Sequence, residues 1–585
     1  MRHKIGLLLI IFTLCAIGCK ETPFPNLLYR TDARFSGAIA EKAMVVSAHP
    51  EATRIGVEVL KRGGNAIDAA VAVQFALAVV YPSAGNIGGG GFLVLRTKDG
   101  EIACLDYREK APLRAVRNMY LDSAGNVIPN QSLEGHLAVG VPGTVDGMKK
   151  AHAKYGKLPW QELIQPAIDL AEKGVYFFSD VEPTKLNALQ EDFKRLNTMP
   201  CAFINPQGWK AGDTLKQPDL AKTLVKIRDQ GRNGFYTGDV AKSIIAEMNR
   251  GNGIISFEDL ENYESVWRTA IINQYKEYRI ISMPPPSSGG VALNQLLRMV
   301  ENKPLALWGF HTPQTVHVMV ETERRVYADR ATHLGDPDFY NVPVTALLSK
   351  KYLNARMETL NMEKATPSAM VKAGEIEGMK LEETPKNKKK PEKEETTHYS
   401  IVDAYGNAVS VTTTLNGSFG SKVCVGGAGF LLNNQMDDFS VKPGVPNMYG
   451  LVGAEANAIA PAKRMLSSMT PTIVEKKGNL FMVLGSPGGS TIITSVFQTF
   501  LNVVEFQMSM QEAVNAGRFH HQWKPDTLFI EKNALSKMCI QQLTKMGHTI
   551  VEREPIGRVD AILVRPDGTL EGAGDMRGED TALGF

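Results

Sequence analysis

The 585-residue chain is poor in the features that most quickly betray a protein's class. Cysteine is scarce: there are six, and Cys15 and Cys19 fall within the first nineteen residues. The other four, Cys104, Cys201, Cys424 and Cys539, are too scattered for a disulfide framework. None sits in a C-x-x-C pair, so no zinc site is indicated, and they read as small buried hydrophobes. Charge of one sign is also missing. A net charge of +3, with no basic stripe carrying interleaved aromatics, gives no case for a nucleic-acid partner. No unit of about 20–50 residues repeats, so no solenoid or propeller is indicated.

What is present is an ordinary globular composition. Hydrophobic residues make up 43% and charged residues 22%, which suits a large core. The length would allow about four domains of ~150 residues, although large α/β layers often run as one unit.

The N-terminus carries a targeting pattern. Arg2, His3 and Lys4 are basic, and Ile5 to Ile17 is almost wholly apolar but too short to span a bilayer comfortably. The run ends Ala16-Ile17-Gly18-Cys19, which resembles a bacterial lipobox with Cys19 as the lipidated residue. The other reading is a plain signal peptide. Residues 1–19 are thus expected as a lipoprotein leader and 20–40 as a tether. The protein is then exported, periplasmic or at the cell surface, and membrane-anchored through Cys19.

Further along, "EATRIGVEVLKRGGNAIDAAVAVQFALAVVYP" predicts two helices joined at Gly63-Gly64. "GGGGFLVLRTKDGEIACLDYREKAP" predicts a hairpin turning at Lys98-Asp99-Gly100. More helices are expected near 145–155, 160–174, 217–230, 239–249, 290–301 and 312–332. Residues 365–395 form one Lys- and Glu-rich, aromatic-free tract, expected to be flexible and exposed.

That charged tract ends at Glu395, and "TTHYSIVDAYGNAVSVTTTLN" follows at once. Thr396–Val402 and Ala408–Leu415 read as strands around an Asp403–Asn407 turn. A turn centred on Tyr405 places Thr396 opposite Thr414, so two hydroxyls should meet. In "SSMTPTIVEKKGNLFMVLGSPGGS", strands Thr470–Glu475 and Leu480–Gly485 turn near 477.5 to 478. Ser467 and Ser468 then face Pro487, Gly488 and Gly489, within a residue or two of register.

These blocks, with "LLNNQMDDFSVKPGVPNMYGLVG", "GSPGGSTIITSVFQ" and "NAGRFHHQW", resemble the small subunit of γ-glutamyltranspeptidases. "HPEATRIGVEVLKRGGNAIDAAVAVQFALAVVYPSAGNIGGGGF", "LDYREKAP" and "GVPGTVDG" resemble the large subunit, so the likeness spans residues from about 40 to the end. It implies an α+β, four-layer αββα sandwich of the N-terminal-nucleophile hydrolase type. A large subunit, 41–395, and a small one, 396–585, would be cut from one precursor at Glu395-Thr396 and form one unit. It also implies a γ-glutamyltransferase and glutathione hydrolase, taking glutathione and other γ-glutamyl compounds, with water, amino acids or dipeptides as acceptors. Neither metal nor other cofactor is implied.

A threonine hydroxyl is a weak nucleophile without a base. An α-amino group, with a free pKa of about 7.7–8.0, can be that base once Thr396 begins a chain. By resemblance Thr414 bonds the nucleophile, Gly488 and Gly489 form the oxyanion hole, and Asn416, Gln435 and Asp438 take the substrate ammonium. Arg108 forks onto the substrate carboxylate, supported by Ser467 and Ser468, and Tyr449 closes as a lid. Alone, Asp438 reads equally as a turn residue and Arg108 as a surface ion pair. Asn86–Phe92 reads as tight backbone packing near the site. His398, His520 and His521 read as structural. Met465 stands where proline is expected, which could shift substrate preference. Two alternatives remain: a glutaryl-β-lactam acylase with the same nucleophile, and a non-catalytic binding lipoprotein.

Overall fold

The computed structural model describes residues 37–379 and 395–585. The expected leader 1–19 with Cys19, residues 20–36 of the expected tether, and 380–394 of the charged tract lie outside the described residues.

Among the described residues, fourteen strands build the two large sheets. In chain order they are β1 (Ala38–Ala40), β2 (Met44–Ser47), β3 (Gly90–Arg96), β4 (Ile102–Tyr107), β5 (Val266–Arg268), β6 (Ile271–Tyr275) and β7 (Tyr278–Ser282). After the charged tract come β8 (Thr397–Val402), β9 (Ala408–Thr414), β10 (Thr472–Lys476), β11 (Asn479–Gly485), β12 (Asp560–Val564), β13 (Leu570–Ala573) and β14 (Thr581–Gly584). One sheet runs β14-β2-β8-β9-β3-β4-β5 and the other β1-β13-β12-β11-β10-β7-β6.

Side-chain alternation stacks these sheets into four layers. Along β3, Phe92 and Val94 point to the space between the sheets, where Ile281, Ile473, Val483 and Ile562 meet them. Leu93 and Leu95 point the other way, onto helices α1 (Pro50–Lys61) and α2 (Ala66–Val80). On the second sheet Ile280, Val474, Met482 and Leu563 pack outward against α3 (Gly289–Val300), α4 (Pro313–His333) and α5 (Ile492–Val504). A period-2 strand with both faces apolar requires cover on both faces. The expected αββα sandwich is therefore the fold.

Helix α2 is buried all round, as a uniformly apolar helix must be. Its start is a capping box: Asn65 accepts from the Ile67 and Asp68 amides, and Asp68 accepts from the Asn65 amide. Asp403, in the β8–β9 turn, accepts from the Ala66 amide at 2.8 Å and also from Tyr405 and Asn407, each at 2.9 Å. One carboxylate thus shapes the turn and seats the helix.

Two boundaries need correction. Ala38–Ala40, expected within the tether, is an edge strand paired with Leu570–Gly572. The charged tract begins later than expected, because residues 365–374 are docked. The Ala365 amide donates to Met546 O at 2.7 Å, Trp523 Nε1 donates to the Ser368 and Val371 carbonyls, and the Gly374 amide donates to Asp329 at 2.9 Å. Of the four described cysteines, Cys104, Cys424 and Cys539 are buried and Cys201 is half-buried.

Candidate active site

The β8–β9 pairing is in the expected register, with Thr397 opposite Thr413. Thr396, immediately before β8, therefore meets Thr414 at the end of β9, and their hydroxyl oxygens lie 3.1 Å apart. The Thr396 hydroxyl donates to the carbonyl oxygen of Glu395 at 2.7 Å, and Thr414 donates to the same oxygen at 3.3 Å. Thr414 is fixed in turn by the Asn416 amide at 2.8 Å. The β9–β3 pairing brings Gly89 against this strand end. A Cβ on Gly89 would lie 2.0 Å from the Thr414 carbonyl oxygen, so the Gly-rich run does provide close backbone packing.

The Glu395 side chain is also held. Lys185 Nζ lies 2.8 Å from one carboxylate oxygen, and Tyr81 donates to the other at 3.2 Å. Arg558 braces Tyr81 at 2.7 Å. Burial alone would raise this carboxyl's pKa, but Lys185 and Arg558 outweigh it and hold the group below the usual carboxylate range.

A cleft of about 300 Å³ opens beside Thr396, lined by Arg108, Asn416, Gln435, Asp438, Tyr449, Ser467, Ser468 and Gly489 among others. Arg108 follows β4 and is 1% exposed. Its guanidinium lies 2.5 Å from Asp438 and also donates to the Met465 and Leu466 carbonyls, each at 3.3 Å. Gln435–Asp438 is a single 3₁₀ turn, which puts residues three apart on one side. Gln435 Nε2 accordingly donates to Asp438 at 2.7 Å. The Met465 side chain packs away from the cleft, with Met436, Phe439 and Ile459.

The second hairpin uses both expected registers. Thr472–Val474 pair with Met482–Leu484, and a bulge then shifts Glu475 and Lys476 by one. Ser467, Ser468 and Gly489 meet at the cleft as that pairing requires. Gly488 and Gly489 both take positive φ, 127° and 48°. A Cβ on Gly489 would sit 2.9 Å from the Tyr449 ring. Tyr449 itself is buried and donates to the Asn416 carbonyl at 2.7 Å. Helix α5 begins at Ile492, which lines the cleft, so the positive end of its dipole borders the site.

One charged cleft residue was not foreseen. Arg330, on α4, donates to Ser468 Oγ at 2.9 Å and to Ser288 Oγ at 3.0 Å, and burial pulls its pKa down to about 10. His398 is engaged by Thr412 and Ser400, and His520 by Thr494 and Gln522, as structural residues are. Burial lowers both rings to about 3. A larger groove of about 990 Å³, lined by Asn65, Thr97, Lys157 and Tyr405, contains none of the expected site residues.

Residues 52–585 match the family described as gamma-glutamyltranspeptidase. The glutathione hydrolase proenzyme of Pseudomonas sp. (strain A14) is 48% identical over 526 residues, 90% of this chain and 89% of the relative. That of Escherichia coli (strain K12) is 43% identical over 588 residues, 99% of this chain and 98% of the relative. Among solved structures, the cephalosporin acylase from Bacillus halodurans matches with a TM-score of 0.80 and 25% identity, covering 98% of this chain and 99% of that one.

Proposed function

The chain belongs to the gamma-glutamyltranspeptidase family, and from that premise we propose that it is a glutathione hydrolase and γ-glutamyltransferase with Thr396 as nucleophile. One observation carries the reading: the Thr396 hydroxyl touches the carbonyl before it and borders a cleft in which Arg108 pairs with Asp438, while a second cation, Arg330, stands behind Ser468.

Maturation comes first. The Thr396 oxygen adds to the Glu395 carbonyl carbon, and the carbon–nitrogen bond breaks. The released amine keeps the hydroxyl's proton, leaving an ester. Water hydrolyses the ester, giving a Glu395 carboxylate and a free Thr396 amine. The large subunit would end at Glu395 and the small one run from 396 to 585, the two remaining together as one unit. The liberated amine then serves as base for the hydroxyl beside it, with a pKa near the working pH.

The turnover repeats this chemistry on a γ-glutamyl amide. Arg108 and Asp438 neutralise each other in the open cleft. A γ-glutamyl group brings an ammonium for Asp438, Asn416 and Gln435 and a carboxylate for Arg108, Ser467 and Ser468, so one ion pair becomes two. Gly488 and Gly489 amides, with the α5 dipole behind them, receive the developing oxyanion. Thr414 holds the nucleophile and Tyr449 covers the bound group. The leaving amine takes the proton, and water or an acceptor amine resolves the ester.

A glutaryl group lacks the ammonium and would leave Asp438 uncompensated, which disfavours the acylase alternative. Thr396→Ala is expected to remain uncut and to release nothing from a γ-glutamyl anilide. The wild type is expected to prefer the γ-glutamyl over the glutaryl anilide by kcat/KM. Residual release by the variant, or a glutaryl preference, sinks the respective part. Residues 1–19 form a lipoprotein leader that exports the protein and anchors it through Cys19. The mass of the membrane-extracted protein reads that lipid directly, and an unmodified Cys19 would refute it.

A further inference from the structure

Cys201 lies just beyond a short helix, Gln190–Leu196, and Cys424 lies beyond the end of β9. The two thiols lie close enough to shift each other's pKa, Cys201 downward and Cys424 upward. They share one apolar cluster with Phe193, Phe203 and Phe419, and both are free thiols. Asn197, shortly before Cys201 in the chain, ties that segment to the one carrying Cys424: it accepts from the Cys424 amide at 2.7 Å and donates to the Lys422 carbonyl at 2.8 Å. Cys104 and Cys539 sit in two different core clusters, so neither competes for this contact.

We propose that Cys201 and Cys424 form a disulfide in the exported protein, and that this bond joins the two subunits covalently. The inference rests on the proposed cut at Glu395-Thr396, because the two cysteines lie on opposite sides of it. An exported protein meets oxidants of the disulfide class, and those suffice. Cys201, the half-buried partner, attacks an external disulfide, forming a mixed disulfide and releasing one thiol. The Cys424 thiol then loses its proton, attacks the Cys201 sulfur and expels the second thiol. Two protein thiols are oxidised and one external disulfide is reduced. The neighbouring Cys424 thiol holds the Cys201 thiol below its ordinary pKa, which suits it to attack first. Without the bridge, the cut subunits are held only by non-covalent contacts, chiefly the strand ladders that cross between them.

The test is the full chain purified from the envelope of its host, alkylated, and run on denaturing gels with and without reductant. With reductant, two fragments are expected. Without it, one species of their summed mass is expected, and Cys201→Ser should separate into two fragments under both conditions. Two fragments without reductant, persisting after incubation with hydroxyethyl disulfide, overturn the bridge and leave the cleavage reading intact. That oxidant carries no γ-glutamyl group for the enzyme to consume. A single chain on the reducing gel instead overturns the cleavage. In that case a proteolytic digest still decides the bond: a linked Cys201–Cys424 peptide supports it, and free peptides refute it.

Discussion

Glu395 is the residue whose surroundings say most about maturation. Its side chain is fixed by Lys185 and Tyr81 while its carbonyl oxygen accepts from Thr396 and Thr414, so both ends of the residue are immobilised. Small misplacements of a reacting carbonyl cost about tenfold to a hundredfold in rate. Lys185→Met and Glu395→Ala should slow the appearance of the small fragment by at least about tenfold. The Lys185→Glu, Glu395→Lys pair should recover part of that loss, which a merely structural role would not allow. Wild-type cutting rates in both single variants would refute this clamp. Glu109, beside Arg108, makes a separate prediction. It is buried with neither carboxylate oxygen hydrogen-bonded, and burial pushes it up to about 7 from 4.5. A carboxyl raised in this way contributes stability that is fully present below pH about 4.5 and lost as pH climbs through about 7. Glu109→Gln should therefore gain on the wild type by up to about 3 kcal/mol between pH 4 and pH 8, read from urea unfolding at each pH. An unchanged difference across that range would reject it. Thr396 and Thr414 were legible in the sequence because one short hairpin sets their distance. The Glu395 clamp was not, since Tyr81, Lys185 and Arg558 come from three remote segments. Arg330 escaped for a different reason. The sequence marks α4 only as a helix, yet its charged residues are buried, with pairs such as Arg325 and Glu321 at 2.8 Å.

At the scale of elements, apolar periodicity located α1, α2, α3, α4 and the two hairpins, β8–β9 and β10–β11, to within a residue or two. Helix α5 was missed although it begins at the cleft. Its sequence, IITSVFQTFLNVV, is rich in β-branched residues that favour strands in isolation. Burial of twelve of its thirteen residues against the second sheet overrides that preference. The bulge in the second hairpin explains why two registers fitted the sequence equally well: each holds on one side of Val474-Glu475. The β8–β9 turn carries the prediction here. Asp403 caps α2 as well as shaping the turn, so Asp403→Ala removes two roles at once and should cost about 2 kcal/mol in equilibrium unfolding. A cost below about 0.5 kcal/mol would mean that the turn and helix hold without it.

For the whole molecule, strand order matters more than strand content. The first sheet interleaves strands from before and after residue 395: β14, then β2, then β8 and β9, then β3 to β5. The second does the same, with β1 at one edge, β13 to β10 in the middle, and β7 and β6 at the other. Neither fragment owns a complete sheet, and the cleft takes Arg108 and Arg330 from one and Thr396, Asp438 and the serine pair from the other. Such long-range pairing has no local signature, and only the resemblance of many blocks in order anticipated it.

The far end of the chain adds a consequence. The carbonyl of Phe585 accepts from the Lys42 and Ala43 amides at 2.8 and 3.2 Å, so the last residue sits beside one of the first strands. The linear order of the gene is thus only one way to thread this fold. A circular permutant that starts Met-Thr396, runs to Phe585, crosses a Gly–Ser linker of about eight residues to Gly37 and stops at Glu395 would be born in the mature topology. Removal of its initiator methionine would expose the threonine amine with no peptide left to cut. Such a chain should hydrolyse a γ-glutamyl anilide as one uncut polypeptide, separating the need for a free N-terminus from the need for self-cleavage. A folded but inert permutant would show that the act of cutting also reshapes the site.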